Sequence, residues 1–442
     1  MIPQALLLTN NLEFGAKEMN KKNILKDFYI LWSTQSLSQL GSAITAYALT
    51  LWLYDQTGSA LGTAALRIST YAPYVLMSIF AGAISDKFDK KRTMLVCDLF
   101  AALTTVTVFI LYRTDTLCIW HLYAINAASG LMNTVQQPAS EVANTVLVPK
   151  EYYQKTSGLN SLTRSLITIG NPLIASAIYG FAGLDAAIAF DLFTFAVAFI
   201  ALALFIHIPD TAQKEKEESV LKLAKEGLVF LKQTPMILYV ILFMAGVNFV
   251  ASAFDAVLYS LILPNPRGGN YVYGIVTSCA GIAMVVGSLI ATVMPKPKDR
   301  VRVIYLSMLF SLGTENFLLA FSRSPVVWCI AQILGWIFVP VMSANQNVIM
   351  KNTIPTNLQG RVYACRNTLQ FFTIPIGLAF GGFMVDHVCE PFMSGKTGLY
   401  ETLFGTGKSS GAALMMLILG VMGTVMCLIF GLKLKKYKYQ DQ

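Results

Sequence analysis

An all-α membrane protein of twelve spans is what this chain predicts, on three observations. Of its 442 residues 55% are hydrophobic and only 13% charged, where soluble domains carry about a quarter charged residues. The apolar residues gather into continuous runs as long as a bilayer crossing, which takes roughly 20 mainly apolar residues in a helix. The runs also lack the residue-by-residue alternation of barrel strands, so in lipid the backbone must satisfy its own hydrogen bonds as helices.

Taken in order, the spans are 28–54, 61–85, 93–112, 117–139, 157–181, 184–207, 236–263, 271–294, 303–322, 325–348, 362–387 and 410–432. Residues 1–27 read as a cytoplasmic tail; positions 1–18 are weakly patterned and precede a second methionine, Met19, which leaves the start open between Met1 and Met19. Span 28–54 is too long and too polar for a signal peptide, and no small-residue cleavage pattern follows it. Residues 28–207 form a first six-helix bundle and 236–432 a second, ahead of a short cytoplasmic tail, 433–442. The linker 208–235 is charged, and its Val220, Leu221, Ala224, Leu228 and Leu231 recur at three- and four-residue steps. That spacing predicts an amphipathic helix on the inner membrane surface.

Lysine and arginine set the orientation. The connections on one side carry Lys17, Lys21, Lys22 and Lys26, then Lys87, Lys90, Lys91 and Arg92, the lysines of the linker, Lys296, Lys298, Arg300 and Arg302, and Lys433, Lys435, Lys436 and Lys438. The other side carries only Arg113, Arg267, Arg323, Lys396 and Lys408. Both termini are therefore expected in the cytoplasm, and the net charge of +9 is a topology signal with no nucleic-acid partner behind it. The 7 cysteines are scattered, with no spacing of a disulfide framework or zinc site. No metal, cofactor or catalytic constellation is expected. "GTGKSS" at 405–410 imitates a nucleotide loop, but the first glycine of that pattern would fall at Thr402 and no strand precedes it.

A faint internal repeat divides the spans into six plus six. "NTVLVPKEYYQK" matches "MKNTIPTNLQGR" when Pro149 is set on Pro355 and Lys155 on Arg361, and the loop after span 2 corresponds to "PKPKDRVR" after span 8, with Lys298 where Asp86 stands. Two parallel repeats suit a rocking secondary transporter with its site between the halves.

The segment "GAISDKFDKKR" at 82–92 resembles the signature loop of the major facilitator superfamily: Gly82, Asp86, Lys87, Lys90 and Lys91 fit, while Asp89 stands where glycine is preferred. That departure, with "QPASEVANTVLVP", "KEGLVFLKQTP" and "LQGRVYACRNTLQFFTIPIG", is similar to the superfamily's bacterial branch of macrolide-efflux-like and siderophore-exporter-like proteins. The resemblance implies a multi-pass transporter of the bacterial plasma membrane rather than an enzyme. It further implies that Asp86 sits against the N-terminus of span 11, near Arg361 and Arg366, and latches the halves on the inner side, with Asp98 steadying Arg92 in the same network. The competing reading of the charges is orientation alone.

Charges within spans are expensive and are functional candidates by default. Glu315 near the middle of span 9, Asp255 towards the outer end of span 7 and Asp191 in span 6 are the candidates for carrying a proton, with Arg67 and Arg164 the available cations. Burial disfavours a carboxylate's charge, which suits Glu315 to load a proton outside and release it inside; structural hydrogen bonding between peripheral helices is the alternative for Asp191 and Glu315. The superfamily lines its cavity with spans 1, 4, 7 and 10. There Gln35 and Gln39 share a face, as do Asn126, Asn133 and Gln137, Asn248 lies above Asp255, and Gln332 and Trp336 make one stripe. These amides with Tyr47 suggest a large amphipathic cargo, or else polar residues that join helices. Asn126 stands where the superfamily's arginine motif has arginine, and "GNPLIAS" at 170–176 departs from its antiporter motif. The chain thus reads as a monomeric exporter of a hydrophobic or amphipathic molecule, a drug, macrolide-like or peptide natural product or siderophore, in exchange for protons and in contact with membrane lipids. A lysophospholipid-type flippase is the alternative.

Overall fold

The computed structural model describes residues 4–87, 89–148, 153–208, 220–295, 297–355, 358–434 and 436. The first part of the chain forms α1 (Gln4–Thr57), α2 (Ala60–Lys87), α3 (Lys90–Arg113), α4 (Ile119–Val146) and α5 (Tyr153–Ile200). After α6 (Val220–Gln233) come α7 (Pro235–Ile262), α8 (Asn270–Val293), α9 (Arg300–Phe321), α10 (Pro325–Trp336), α11 (Phe338–Thr353), α12 (Gln359–Phe371) and α13 (Thr373–Met384). Two short helices, α14 (Glu390–Met393) and α15 (Leu399–Phe404), precede α16 (Lys408–Leu434). No strand occurs among the described residues.

Helix breaks have local causes. Gly183 adopts φ 75° and ψ −174° within α5, a conformation that costs any other residue dearly, and it falls between the predicted spans 157–181 and 184–207. Pro340 and Pro375 cannot donate to the carbonyls four residues back, and α10 and α12 stop at those residues, Trp336 and Phe371. Span 10 is therefore α10 plus α11, and span 11 is α12 plus α13. Helix α1 begins at Gln4, so the segment expected as a tail is helical from there onward. Within the linker, α6 lies along α12, with Leu231 buried and Leu228 half exposed.

The N-termini of α3 and α9 use one device. Asp89 accepts a hydrogen bond from the Arg92 backbone N–H at 2.7 Å, and Asp299 accepts one from Arg302 N–H at 3.0 Å. Aspartate is a strong N-cap because it satisfies an orphan N–H and opposes the helix dipole. The capping role explains why Asp89 replaces the expected glycine. It also sets the register of the two loops with Asp89 on Asp299, two residues away from the register that puts Lys298 on Asp86.

Eight segments among the described residues are long and apolar enough to cross a membrane: Lys90–Arg113, Leu166–Phe205, Pro235–Ile262, Asn270–Val293, Arg300–Phe321, Pro325–Met350, Cys365–Met393 and Lys408–Leu434. Helices α1, α2 and α4 coincide with predicted spans but are more polar, because they carry Gln35, Gln39, Arg67, Asn126, Asn133 and Gln137. Helix α1 packs on α5, and α2 and α3 on α4; α7 packs on α13 and α16, α9 on α16, α10 and α11, and α8 on α10. Across the two halves, α5 meets α8 and α2 meets α13. At the first crossing Gly274 lies on the Pro172 carbonyl and Ser176, so the small residues of "GNPLIAS" serve the interface between halves.

Candidate functional site

The halves are joined around the ends of α1, α7 and α13 and the beginnings of α2 and α8. Arg67 on α2 donates to Asp255 on α7 at 2.9 Å, and the two side chains stay 33% and 40% exposed. A charge on a membrane helix needs a partner or a water-filled cavity, and this pair has both a partner and open surface. One turn beyond Asp255, the Tyr259 ring lies 5.9 Å from the Arg67 guanidinium carbon, within cation–π range. Tyr259 stacks on Tyr273 of α8 at 4.7 Å and faces Tyr54 of α1 at 6.3 Å, while Tyr47 lies 6.0 Å from Tyr273. The hydroxyls continue across the seam: Tyr54 Oη donates to Ser260 Oγ at 3.3 Å, and Tyr47 Oη and Thr277 Oγ1 are 3.0 Å apart. An ion pair from opposite halves, flanked by tyrosines from both, can hold this end shut and can be undone by neutralising one carboxylate.

The other candidates separate into distinct roles. Asp191 accepts from Ser42 Oγ at 2.9 Å and Thr105 Oγ1 at 3.2 Å and is buried; it knots α1, α3 and the end of α5 together, the structural alternative. In place of the Asp98–Arg92 pair that the sequence suggests, buried Asp98 accepts from Gln35 Nε2 at 3.1 Å and from Gln136 Nε2, and the Arg92 side chain is exposed. Gln35 Nε2 thereby joins α1 to α3. Asp98→Leu strands two half-buried amides at about 1 kcal/mol each; thermal unfolding in detergent should fall by several degrees, and Asp98→Asn should recover part of the loss.

Lys91 Nζ donates to the carbonyls of Ala203 at 3.1 Å and Ile206 at 2.8 Å, where a cation suits the helix C-terminus. Lys90 is buried. Arg366 turns to its neighbour Asn367 at 2.9 Å and lies over the Tyr363 ring. These are the contacts of the described members of the expected inner latch; the side chains of Asp86, Lys87 and Arg361 and the surroundings of Gly82 lie outside the described residues, as does the side chain of Arg164.

Glu315 is buried over the backbone of Gly335, its Oε1 without a hydrogen-bond partner. Trp336 Nε1 is likewise buried without a hydrogen-bond partner. Gln332 is 1% exposed with Nε2 unpartnered, inside the helix packing rather than on a cavity wall. Asn126 accepts from Thr70 Oγ1 at 3.1 Å, Gln137 from Tyr74 Oη at 2.9 Å, and Asn248 donates to the Gln370 carbonyl at 2.9 Å. Gln39, Asn133 and Gln137 are exposed. Sequence reasoning named Tyr47 but missed Arg67 as the partner of Asp255, and it missed Tyr54, Tyr259 and Tyr273 of the seam; Arg67 carried a signal, being a charge within a span.

Fold and seam together describe an all-α protein whose long apolar helices meet across a polar, charge-paired contact. A family model described as Major Facilitator Superfamily matches residues 31–378, and the chain belongs to that superfamily. Macrolide efflux protein A of Streptococcus pyogenes is 26% identical over 377 residues, 84% of this chain and 92% of that protein. The multidrug efflux pump Tap of Mycolicibacterium fortuitum is 25% identical over 399 residues, 86% and 91% of the two chains. Among solved structures, a bacterial homolog of the human lysosomal transporter Spinster, inward-facing and unoccupied, gives a TM-score of 0.67 at 14% identity over 95% of this chain and 99% of that one. The nucleoside transporter NupG gives 0.61 at 14% identity over 92% and 99%.

Proposed function

We propose that the protein exports a hydrophobic or amphipathic small molecule in exchange for protons, by alternating access between two six-helix repeats, and that Asp255 carries the proton. The observation that supports this most is the Arg67–Asp255 pair, which joins the halves at 2.9 Å while remaining partly open. With the termini in the cytoplasm, the seam lies towards the outer face, so the closed seam is the inward-facing state. Opening it separates Arg67 from Asp255, and cargo bound from the inside offsets that separation. Once open, Asp255 meets outer water and takes a proton. On closing, Arg67 returns to the carboxylate and the proton leaves to the inside, since a nearby cation favours the ionised form. The repeated aspartate caps of α3 and α9 support the two-repeat reading, and the efflux relatives support outward transport.

The flippase alternative calls for an apolar opening between the halves. The efflux relatives favour the exporter over the flippase. Of the three carboxylates, Asp191 is held by hydroxyls from two other helix segments and Glu315 is enclosed, which leaves Asp255 as the one placed to alternate. In proteoliposomes with an internal pH dye and a macrolide as test cargo, imposed efflux should acidify the lumen that represents the cytoplasm. Glu315→Gln should retain this coupled flux; if it abolishes acidification while Asp255→Asn does not, the proton site is Glu315. Absence of any cargo-linked proton movement would remove the antiport reading.

A further inference from the structure

Beyond the ion pair, the seam contains a second clasp that no sequence motif announces. Helix α2 begins directly after a tight turn, with Ser59 as its cap: Ser59 Oγ accepts the Gly62 N–H at 2.9 Å. Thr63 N–H reaches the Ser59 carbonyl at 3.3 Å, which leaves the Ala60 and Leu61 N–H groups to find an acceptor elsewhere. Asp386, from the other half, accepts all that remain at this corner: Ser59 Oγ–H at 2.6 Å and Leu61 N–H at 2.9 Å on Oδ2, and Ala60 N–H at 3.1 Å on Oδ1. A carboxylate at a helix N-terminus gains from orphan donors and from the helix dipole together, and hydrogen bonds to a charged acceptor are about twice as strong as neutral ones.

The geometry that delivers Asp386 is local. Residues Val385–Cys389 form a π-helical turn, a widening often found at functional positions. One turn earlier, Gly382 brings α13 against the backbone of Ala60 and Leu61, where a β-carbon would collide. Just inside this contact, Ala64 packs with Ala256 and Leu378 of the other half and is 1% exposed.

We infer that Asp386 is a latch of the transport cycle: it caps α2 only when this end of the transporter is closed, so that opening the seam uncaps α2 and release of the latch sets how often that happens. The inference rests on the alternating-access reading above.

The test places a reporter beneath the latch, Ala64→Cys, in a chain with the exposed Cys118 replaced by serine, and measures its reaction with a membrane-impermeant maleimide on intact cells. The expected result is slow labelling with Asp386 present and labelling about five- to thirtyfold faster with Asp386→Ala, the factor that one or two kcal/mol produces. Asp386→Asn, which keeps one acceptor and the same size, should fall between, and Ser59→Ala should give a smaller rise. Because the alanine variant risks misfolding, surface expression and melting temperature are measured alongside, and the asparagine and Ser59 variants carry the comparison if it is lost. Equal labelling in all variants, while the rate still changes when the proton gradient is imposed, would overturn the latch and leave alternating access standing. A rate that responds neither to the gradient nor to any variant would overturn both.

Discussion

Asp255→Asn is expected to abolish export against a gradient while leaving cargo binding and downhill exchange largely intact. The variant keeps the volume and one hydrogen-bond acceptor for Arg67 but has no charge to neutralise, so the halves switch without taking up or giving off a proton. The lost pair is partly open, at 33% and 40% exposure, so its worth lies between that of an exposed and a buried ion pair, about 1 to 3 kcal/mol. That is enough to raise the population with the seam open. Arg67→Gln should uncouple in the same way, and the double variant should be no worse than either single one, because both lose the same interaction. Radiolabelled cargo counterflow set beside dye-monitored proton flux separates the two functions. Uphill export persisting in Asp255→Asn would end the role proposed for the pair.

Gly382→Leu should trap the transporter with the seam open and stop transport altogether. The new side chain would enter the space occupied by the Ala60 and Leu61 backbone, and backbone in a capped helix start cannot give way as a flexible side chain would. Overpacking of this kind costs about 3 kcal/mol at its upper range, a factor of about 100 in the balance between states. The cost falls on the contact between halves rather than on either bundle, so the protein should still insert and melt cooperatively. Labelling of Ala64→Cys from outside would be fast and indifferent to the proton gradient. Normal turnover by Gly382→Leu would mean that α2 and α13 do not separate and rejoin during the cycle.

Much of the architecture was legible because hydrophobic run length and proline or glycine position act locally. The boundary at Gly183 follows from the residues at that place; the breaks ahead of Pro340 and Pro375 have equally local causes, but 325–348 and 362–387 read as unbroken spans because their apolar runs are continuous. The site was less legible. Gln35, Gln39 and Ser42 share a helix face, which resembles a cavity wall; in the fold Gln35 and Ser42 instead serve Asp98 and Asp191 on neighbouring helices. Helical spacing reports which residues lie together on one helix, and it is silent on what that face meets.

The same limit separates Asp255 from Glu315. By itself the sequence determined that the chain is a helical membrane protein of the major facilitator type and that its few charges within spans must be paired or functional, since lipid penalises each of them wherever the helices go. Only the tertiary structure decided which charge has a partner in the opposite half, because Arg67 and Asp255, or Ser59 and Asp386, stand far apart in the chain and meet through packing between bundles. No local preference encodes that meeting. It arises from the joint burial of two whole surfaces, where Gly382 and Gly274 allow backbones to touch and the polar groups at the seam must find partners across it.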